Sequence, residues 1–152
     1  MRLPNTAAAG CTEPRRSVML QPCKRKYRKE HKGRNRGLAR SGSSIVHGAL
    51  ALRALSRGRL SSSQLEAGRR AISHSMRRAG AVTILVFPDK PISRKPAEVR
   101  MGNGKGNPDH YVFEVRPGRI IYEVGGVDDH MARSALRLAM PKLPVKTALA
   151  WR

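Results

Sequence analysis

The strongest constraint on this chain is its positive charge. Lysine and arginine total 31 against 10 acidic residues, so the formal net charge is +21 at pH 7. Like charges at this density repel one another and destabilise a compact state that stands alone. The basic residues run along nearly the whole chain and do not form a single tail. We therefore expect a polyanionic partner, for which DNA, RNA and acidic membranes are the candidates.

The apolar residues divide the chain. Large apolar side chains are scarce and lie mostly after Leu38, and a length of 152 residues fits one domain with tails. We expect an N-terminal extension over residues 1–18, a basic arm over 19–44 that cannot fold by itself, and an α+β domain over 45–152. The extension is typical of an organellar transit segment and equally of an ordinary disordered tail.

The basic arm carries the densest charge, in the stretch KRKYRKEHKGRNRGLAR at 24–40. It shows neither a helix nor a strand period, and glycines interrupt it, which predicts an extended segment that lies along phosphates. Aromatic residues make up only 4% of the chain, so we expect contacts to the RNA backbone and not stacking on bases. The arm residues predicted to bind RNA are Lys24, Arg25, Lys26, Arg28, Lys29, His31, Lys32, Arg34, Asn35 and Arg36.

Two helices are expected. The first covers 63–79, with a capping box from Ser63 to Glu66 and a C-terminal cap at Gly80. The second covers 128–140, with acidic residues at its positive N-terminus. The four arginines Arg69, Arg70, Arg77 and Arg78 exceed what the dipole of the first helix needs, so we predict RNA contacts from them. We predict RNA contacts also from Arg57 and Arg59, which flank Gly58 ahead of the helix.

The remaining apolar segments predict strands at 81–87, 97–101, 110–116 and 119–124, with short strands and turns over 44–60. Pro117-Gly118 fits a type II turn that would join the last two strands as a hairpin. The expected fold class is α+β, with an antiparallel-rich sheet, two packed helices and an extended basic N-terminal arm.

A glycine-rich loop at 100–108 separates two predicted strands. Glycines lack Cβ bulk, so its backbone N–H groups can approach phosphate, and two basic side chains add charge. A nucleotide-binding P-loop is excluded because glycine follows the lysine and no helix follows. The alternative is a flexible hairpin tip. The residues concerned are Arg100, Met101, Gly102, Asn103, Gly104, Lys105, Gly106 and Asn107.

Other functions lack a pattern. The five histidines and two cysteines have no metal-ligand spacing, and no nucleophile, paired carboxylates or base suggests catalysis. No apolar stretch approaches the ~18 residues that span a bilayer. We therefore expect no catalytic residue, no cofactor and no metal. A stand-alone RNA-processing enzyme and a basic membrane-surface peptide are the alternatives, and the latter would need one amphipathic cationic helix.

Several stretches together resemble a known family, that of large-subunit ribosomal protein sixteen of the bacterial and organellar type. The resemblance runs from Met19 nearly to the end of the chain. It rests on MLQP at 19–22, KYRKEHKGRNRGLA at 26–39, SRGRL at 56–60, QLEAGRRAI at 64–72, VFPDKPISRKPAEVRMGNGKGNP at 86–108, PGRIIYEVGGV at 117–127 and KLPVKT at 142–147.

The resemblance implies a structural protein of the large ribosomal subunit that is not an enzyme. It implies an arm threaded into large-subunit rRNA and a glycine-rich loop near the A-site tRNA and the peptidyl-transferase region. Neighbouring large-subunit proteins are implied as partners, and neither a membrane nor a homo-oligomer is expected. The residues before Met19 favour an organellar copy in a mitochondrial ribosome, with the chloroplast or the bacterial cytoplasm as alternatives.

Overall fold

A computed structural model describes residues 20–152, so the expected extension over 1–18 lies outside the described residues. Seven strands and two helices follow one another along this part of the chain, which confirms the α+β class. They are β1 (Leu50–Ala54), β2 (Gly58–Ser61), α1 (Ser62–Ser75), β3 (Ala81–Ile84), β4 (Lys90–Arg94), β5 (Asn107–Val115), β6 (Ile120–Gly125), α2 (Asp129–Ala139) and β7 (Thr147–Trp151).

The strands form two antiparallel sheets. The larger has the order β3-β6-β1-β7, and the smaller has the order β2-β5-β4. In the larger sheet Leu50 of β1 lies between Val124 of β6 and Trp151 of β7. Residues 20–49 contain no helix or strand. They reach β1 after following the protein surface as the extended arm that the charge pattern predicts.

Both helices pack on the core, as expected. Leu65, Ile72 and Met76 form the buried stripe of α1, and Leu136 is the fully buried leucine of α2. Tyr122 of β6 lies beneath α1, and its hydroxyl donates a hydrogen bond to the Leu65 carbonyl at 2.8 Å. Burial raises the pKa of the Tyr122 hydroxyl well above its usual value, so the group stays a neutral donor.

A buried carboxylate fixes the segment between the arm and β1 to the larger sheet. Glu123 of β6 is 1% exposed, and its oxygens accept the backbone N–H groups of Val46 at 3.1 Å, His47 at 2.6 Å and Gly48 at 3.1 Å. Three N–H donors replace the water that an ionised carboxylate loses on burial. A Cβ at residue 48 would come within 2.5 Å of the Val124 carbonyl, so glycine is needed there.

The first helix begins earlier than expected, and the predicted capping box is wrong. Ser61 is the N-cap, its side chain accepts the Gln64 N–H, and the Gln64 side chain accepts the Ser61 N–H at 3.0 Å. Strand β2 ends at Ser61, and the helix begins at the next residue, Ser62. Residue 63 is therefore already inside the helix and cannot be its N-cap. Glu66 instead pairs with arginines on the same helix.

The expected cap at Gly80 is also wrong. The helix ends at Ser75, and the positive φ values that follow belong to Arg77 and Arg78. Gly80 has a different role, because a Cβ there would lie 2.8 Å from the Gly125 carbonyl oxygen and 2.7 Å from a methyl group of Val127. Glycine at 80 thus allows the chain to pass close to the end of β6.

The predicted strand at 97–101 is wrong. Those residues are exposed and form turns, and the strand lies upstream at β4. Proline at position 91 disfavours a strand in the local sequence, but β4 is an edge strand, where proline needs no ladder hydrogen bond on its free side. The predicted strand at 81–87 is shorter than expected and ends at Ile84.

The predicted hairpin between the last two strands is wrong as well, although its turn is confirmed. Gly118 has φ +94°, and the Arg119 N–H donates to the Arg116 carbonyl at 3.2 Å, as a tight turn requires. The strands it joins belong to different sheets, because β5 pairs with β2 and β4 whereas β6 pairs with β1 and β3. The turn therefore passes the chain from one sheet to the other.

The second helix matches its prediction closely. Asp128 is the N-cap and accepts the His130 N–H at 3.2 Å, and the α-helix stops at Ala139, before Pro141 in a short 3-10 turn. Strand β1 falls within 44–60, where short strands were expected, and β2 begins there and ends one residue later, at Ser61. Strand β7, in contrast, was not expected.

Candidate nucleic-acid interface

The backbone of the arm is fixed across the smaller sheet. The Lys32 carbonyl accepts hydrogen bonds from Arg59 of β2 at 2.8 Å and from Lys90 of β4 at 2.9 Å. The Asn35 side-chain amide donates to the Gly58 carbonyl at 3.2 Å and to the Val115 carbonyl at 2.7 Å. The arm thus lies on strands β2, β5 and β4, which orders it before any partner binds.

One carboxylate organises these anchors. Glu114 of β5 accepts Arg59 at 2.8 Å and Lys90 at 2.9 Å on the same oxygen. Burial acts to raise the pKa of Glu114 and is the largest single influence, but the hydrogen bonds from Lys90 and Arg59 together hold the pKa below its ordinary value. The carboxylate therefore stays charged and orients both cations toward the arm.

The charged side chains of the arm remain at the surface. Of the ten arm residues predicted to bind RNA, only Arg25 and Asn35 are partly buried. Arg25 pairs with Glu30 and Asp89, and Asn35 anchors the backbone as described. The exposed members are Lys24, Lys26, Arg28, Lys29, His31, Lys32, Arg34 and Arg36.

The glycine-rich loop connects β4 to β5 and projects from the smaller sheet. Residues 96–105 are all exposed, and Met101 reaches 94% exposure. Gly102, Asn103 and Gly104 have consecutive positive φ values of 97°, 50° and 84°. A Cβ at Gly102 or Gly104 would meet nothing within 4 Å, so these glycines serve the backbone turn and not packing within the chain.

The loop is tied to the arm at its base. The Lys29 ammonium donates to the Lys105 carbonyl at 2.7 Å, and the Lys105 ammonium donates to the Glu30 carbonyl. The Lys95 ammonium donates to the Gly102 carbonyl across the loop. The two segments predicted separately to contact RNA thus form one continuous basic surface.

A cavity of about 560 Å³ lies where arm, loop and sheet meet. Its cationic lining comes from Lys32, Arg59 and Lys105, with Glu30 as the acid. Ser61 and Gln64 of the α1 cap line it as well. Pro91, Ile92 and Val112 add apolar surface, so the arm covers a cavity of mixed polar and apolar character.

The predicted arginines outside the arm fall into two groups. Arg69 and Arg70 pair with Glu66 at 2.7 Å and 2.9 Å. The hydrogen bond from Arg69 is the main reason that the pKa of Glu66 falls from 4.5 to about 2, against the opposing effect of burial. Arg59 is committed to Glu114. The exposed members of the set are Arg57, Arg70, Arg77 and Arg78.

Sequence reasoning missed the anchoring role of Lys90 and Glu114. Nothing in the local sequence links them to the arm, since Glu114 is 55 positions from Arg59 and 24 from Lys90. The one clue in the sequence was that Glu114 is an isolated acidic residue on a predicted strand of a chain rich in cations. It could not identify its partners without the strand pairing of β2, β5 and β4.

The described residues hold neither a metal cluster nor a membrane-spanning helix. Among residues 20–152, no three His, Cys, Asp or Glu side chains come together as a metal ion would require. In the same part of the chain, every helix is too short or too polar to cross a membrane.

Comparison with known proteins decides the family. The family model described as ribosomal protein L16p/L10e matches residues 22–150. The chain belongs to the ribosomal protein L16p/L10e family. Proteins named large ribosomal subunit protein uL16 from Albidiferax ferrireducens, Polaromonas naphthalenivorans and Delftia acidovorans are each 58% identical to it over 134 residues, which is 88% of this chain and 97% of each relative.

This membership confirms the resemblance and the prediction that the chain is not an enzyme. The matched range contains the whole basic arm from Lys24, the glycine-rich loop and both helices. The fold described above is thus the fold of a ribosomal protein, in which the loop and most charged side chains of the arm are exposed.

Proposed function

We propose that the chain is a structural constituent of the large ribosomal subunit and binds its rRNA through the arm and the adjoining basic surface. Family membership supports the ribosomal assignment. The single observation that carries the mode of binding is the separation within the arm between a fixed backbone and exposed side chains. The Lys32 carbonyl and Asn35 hold the backbone, whereas the eight cationic or imidazole side chains named above are exposed.

This arrangement suits phosphate binding for a physical reason. An arm that is already ordered loses less conformational entropy on binding than a disordered tail. Each lysine or arginine that neutralises a phosphate releases counterions, which favours binding at low salt. The RNA in turn removes the self-repulsion of a chain with a net charge of +21.

We further propose that the loop from Arg100 to Asn107 lies near the A-site tRNA and the peptidyl-transferase region. Its support is the family resemblance together with the exposure of the loop beyond the smaller sheet. Catalysis in that region then belongs to RNA, and the loop contributes charge and position. The hydrogen bond from Lys29 to the Lys105 carbonyl would hold the loop in a fixed position relative to the arm.

The remaining partners stay predictions. Neighbouring large-subunit proteins are proposed as contacts, and no homo-oligomer is expected. The mitochondrial location is a proposal that fluorescence microscopy of the tagged chain in its source cells would test. The relatives compared are bacterial and favour the bacterial cytoplasm that was left open.

Binding of the full chain to transcribed bacterial large-subunit rRNA, measured at increasing salt, tests the proposal. Replacing Lys24, Lys26 and Arg28 with glutamine should lower the magnitude of the log-affinity salt slope by roughly 0.7–0.9 per lost phosphate contact. A matched control neutralises three exposed cations of the C-terminal region, Arg137, Lys142 and Lys146. Equal losses in the two variants would show that total charge, and not the arm, determines binding.

A further inference from the structure

Helix α1 ends in a turn whose left-handed backbone positions are occupied by arginine. Arg77 has φ +50° and Arg78 has φ +65°. In this conformation the Cβ of an L-residue approaches the backbone too closely, which costs a factor of roughly 5 to 30 in the folding equilibrium for each residue. Two consecutive arginines in this region are therefore a costly way to end a helix.

The hydrogen bonds identify the turn as a Schellman motif. The Arg77 N–H donates to the His74 carbonyl at 3.1 Å, and the Arg78 N–H donates to the Ser73 carbonyl at 2.9 Å. Glycine is the usual residue at the left-handed position of this motif, because it has no Cβ. The nearest glycine, Gly80, is committed to its close contact with Gly125 and Val127. Folding alone gives no reason for arginine at 77.

The two side chains also have no task within the described fold. Both are exposed, and within residues 20–152 neither guanidinium has a hydrogen-bond or ion-pair partner, whereas Arg69 and Arg70 of the same helix pair with Glu66. The negative end of the helix dipole favours a nearby cation, but the effect is small at an exposed surface and is screened by salt. Strain that the fold does not need points to a functional constraint.

We propose that Arg77 and Arg78 form a preorganised clamp for the phosphates of an RNA strand, kept at a cost in stability. This inference rests on the proposed rRNA binding and adds a specific site to it. Guanidinium groups bind phosphate oxygens in pairs of hydrogen bonds. The Schellman turn fixes the backbone beneath them, so less freedom is lost when they bind.

Three variants of the full chain separate strain from charge. R77G/R78G should lower the unfolding equilibrium constant by roughly fivefold or more, because glycine relieves the strain. It should also lower the salt-slope magnitude for large-subunit rRNA by roughly 0.7–0.9 per lost phosphate contact. R77A/R78A keeps the strained backbone. It should lower the salt-slope magnitude by the same amount as R77G/R78G but should not gain stability. The control R137A/K142A removes two exposed cations at the end of α2 and should change neither.

The outcomes are distinguishable. Unchanged salt slopes in both arginine variants, with normal binding by the wild-type chain, would overturn the clamp and leave the proposed function intact. Absence of wild-type binding would overturn the proposed function itself. No gain in stability for R77G/R78G relative to R77A/R78A would overturn the claim that stability is given up at this turn.

Discussion

The Lys29 ammonium donates a hydrogen bond to the Lys105 carbonyl at 2.7 Å, which joins the basic arm to the glycine-rich loop across 76 positions of sequence. The Lys105 ammonium in turn donates a hydrogen bond to the Glu30 carbonyl of the arm. Two surfaces that the charge pattern identifies separately are therefore one surface in the folded protein. The contacts of Glu114 and Asn35 beneath this surface hold the arm where the hydrogen bond from Lys29 to Lys105 can form.

Removing Glu114 should release the arm. Without the carboxylate, Arg59 and Lys90 lose the partner that orients them toward the Lys32 carbonyl. Limited trypsin digestion of Glu114→Ala should then cut within residues 24–36 severalfold faster than in the wild type, because locally unfolded segments are the ones cleaved. Glu98→Ala, which removes an exposed acid, is the control. Equal cleavage rates in all three proteins would contradict the anchoring role.

Glu123 should be the acidic residue to which stability is most sensitive. Replacement by alanine leaves the three N–H groups at 46–48, of which that of Gly48 is buried, without their acceptor, and hydrogen bonds to charged groups contribute about 1.5–3 kcal/mol each. We expect Glu123→Ala to lose at least about 2 kcal/mol in denaturant unfolding, and Glu123→Gln to lose less because one carbonyl oxygen remains. A loss below 0.5 kcal/mol for alanine, an ordinary surface effect, would be inconsistent with the buried contact.

Gly68 should not tolerate alanine, although alanine normally favours a helix over glycine. A Cβ at 68 would lie 2.4 Å from the Tyr122 hydroxyl oxygen. We expect Gly68→Ala to lose about 1–3 kcal/mol through overpacking, and Tyr122→Phe to lose about 1 kcal/mol with its hydrogen bond to Leu65. Denaturant unfolding of the double variant should show less than the sum, because the phenylalanine makes room. Strict additivity would argue against the close contact.

Acid should weaken the fold through Glu66 and Glu114. Both carboxyl groups have pKa values lowered in the folded state, Glu66 from 4.5 to about 2. Their ion pairs therefore contribute fully above the unfolded pKa, and the contribution of Glu66 is lost as the pH falls from 4.5 toward 2. The melting temperature of Glu66→Gln should depend less on pH across that window than the wild-type value, with Glu98→Gln as a control. Parallel curves for wild type and Glu66→Gln would contradict the assignment.

Several features of the fold could be predicted because their causes are local. The second helix follows from its acidic N-terminus and Pro141, and the buried stripe of α1 follows from Leu65, Ile72 and Met76 at helical spacing. The fold class required no more than these helices and the β-branched segments between them. The exposure of the arm likewise follows from a charge density that no small core could bury.

The errors arose where distant contacts override local preference. Pro91 disfavours a strand unless the strand lies at the edge of a sheet, as β4 does. Pro117-Gly118 predicts a hairpin, although it joins strands of two sheets. The Schellman turn has arginine at position 77, where glycine is the usual residue because φ is positive. For the interface, no local pattern could show that Arg59 and Asn35 anchor the arm, because their partners lie on strands far away in sequence.

We infer that the ordered basic arm brings this chain into the large ribosomal subunit. The test is to express the full chain with seven arm cations replaced by glutamine and to follow its sedimentation with large subunits. The replaced residues are Lys24, Lys26, Arg28, Lys29, Lys32, Arg34 and Arg36. Our account predicts that the wild-type chain co-sediments and is released by high salt, whereas the variant stays in the free fraction although its circular dichroism is unchanged. Normal incorporation of the folded variant would contradict the account.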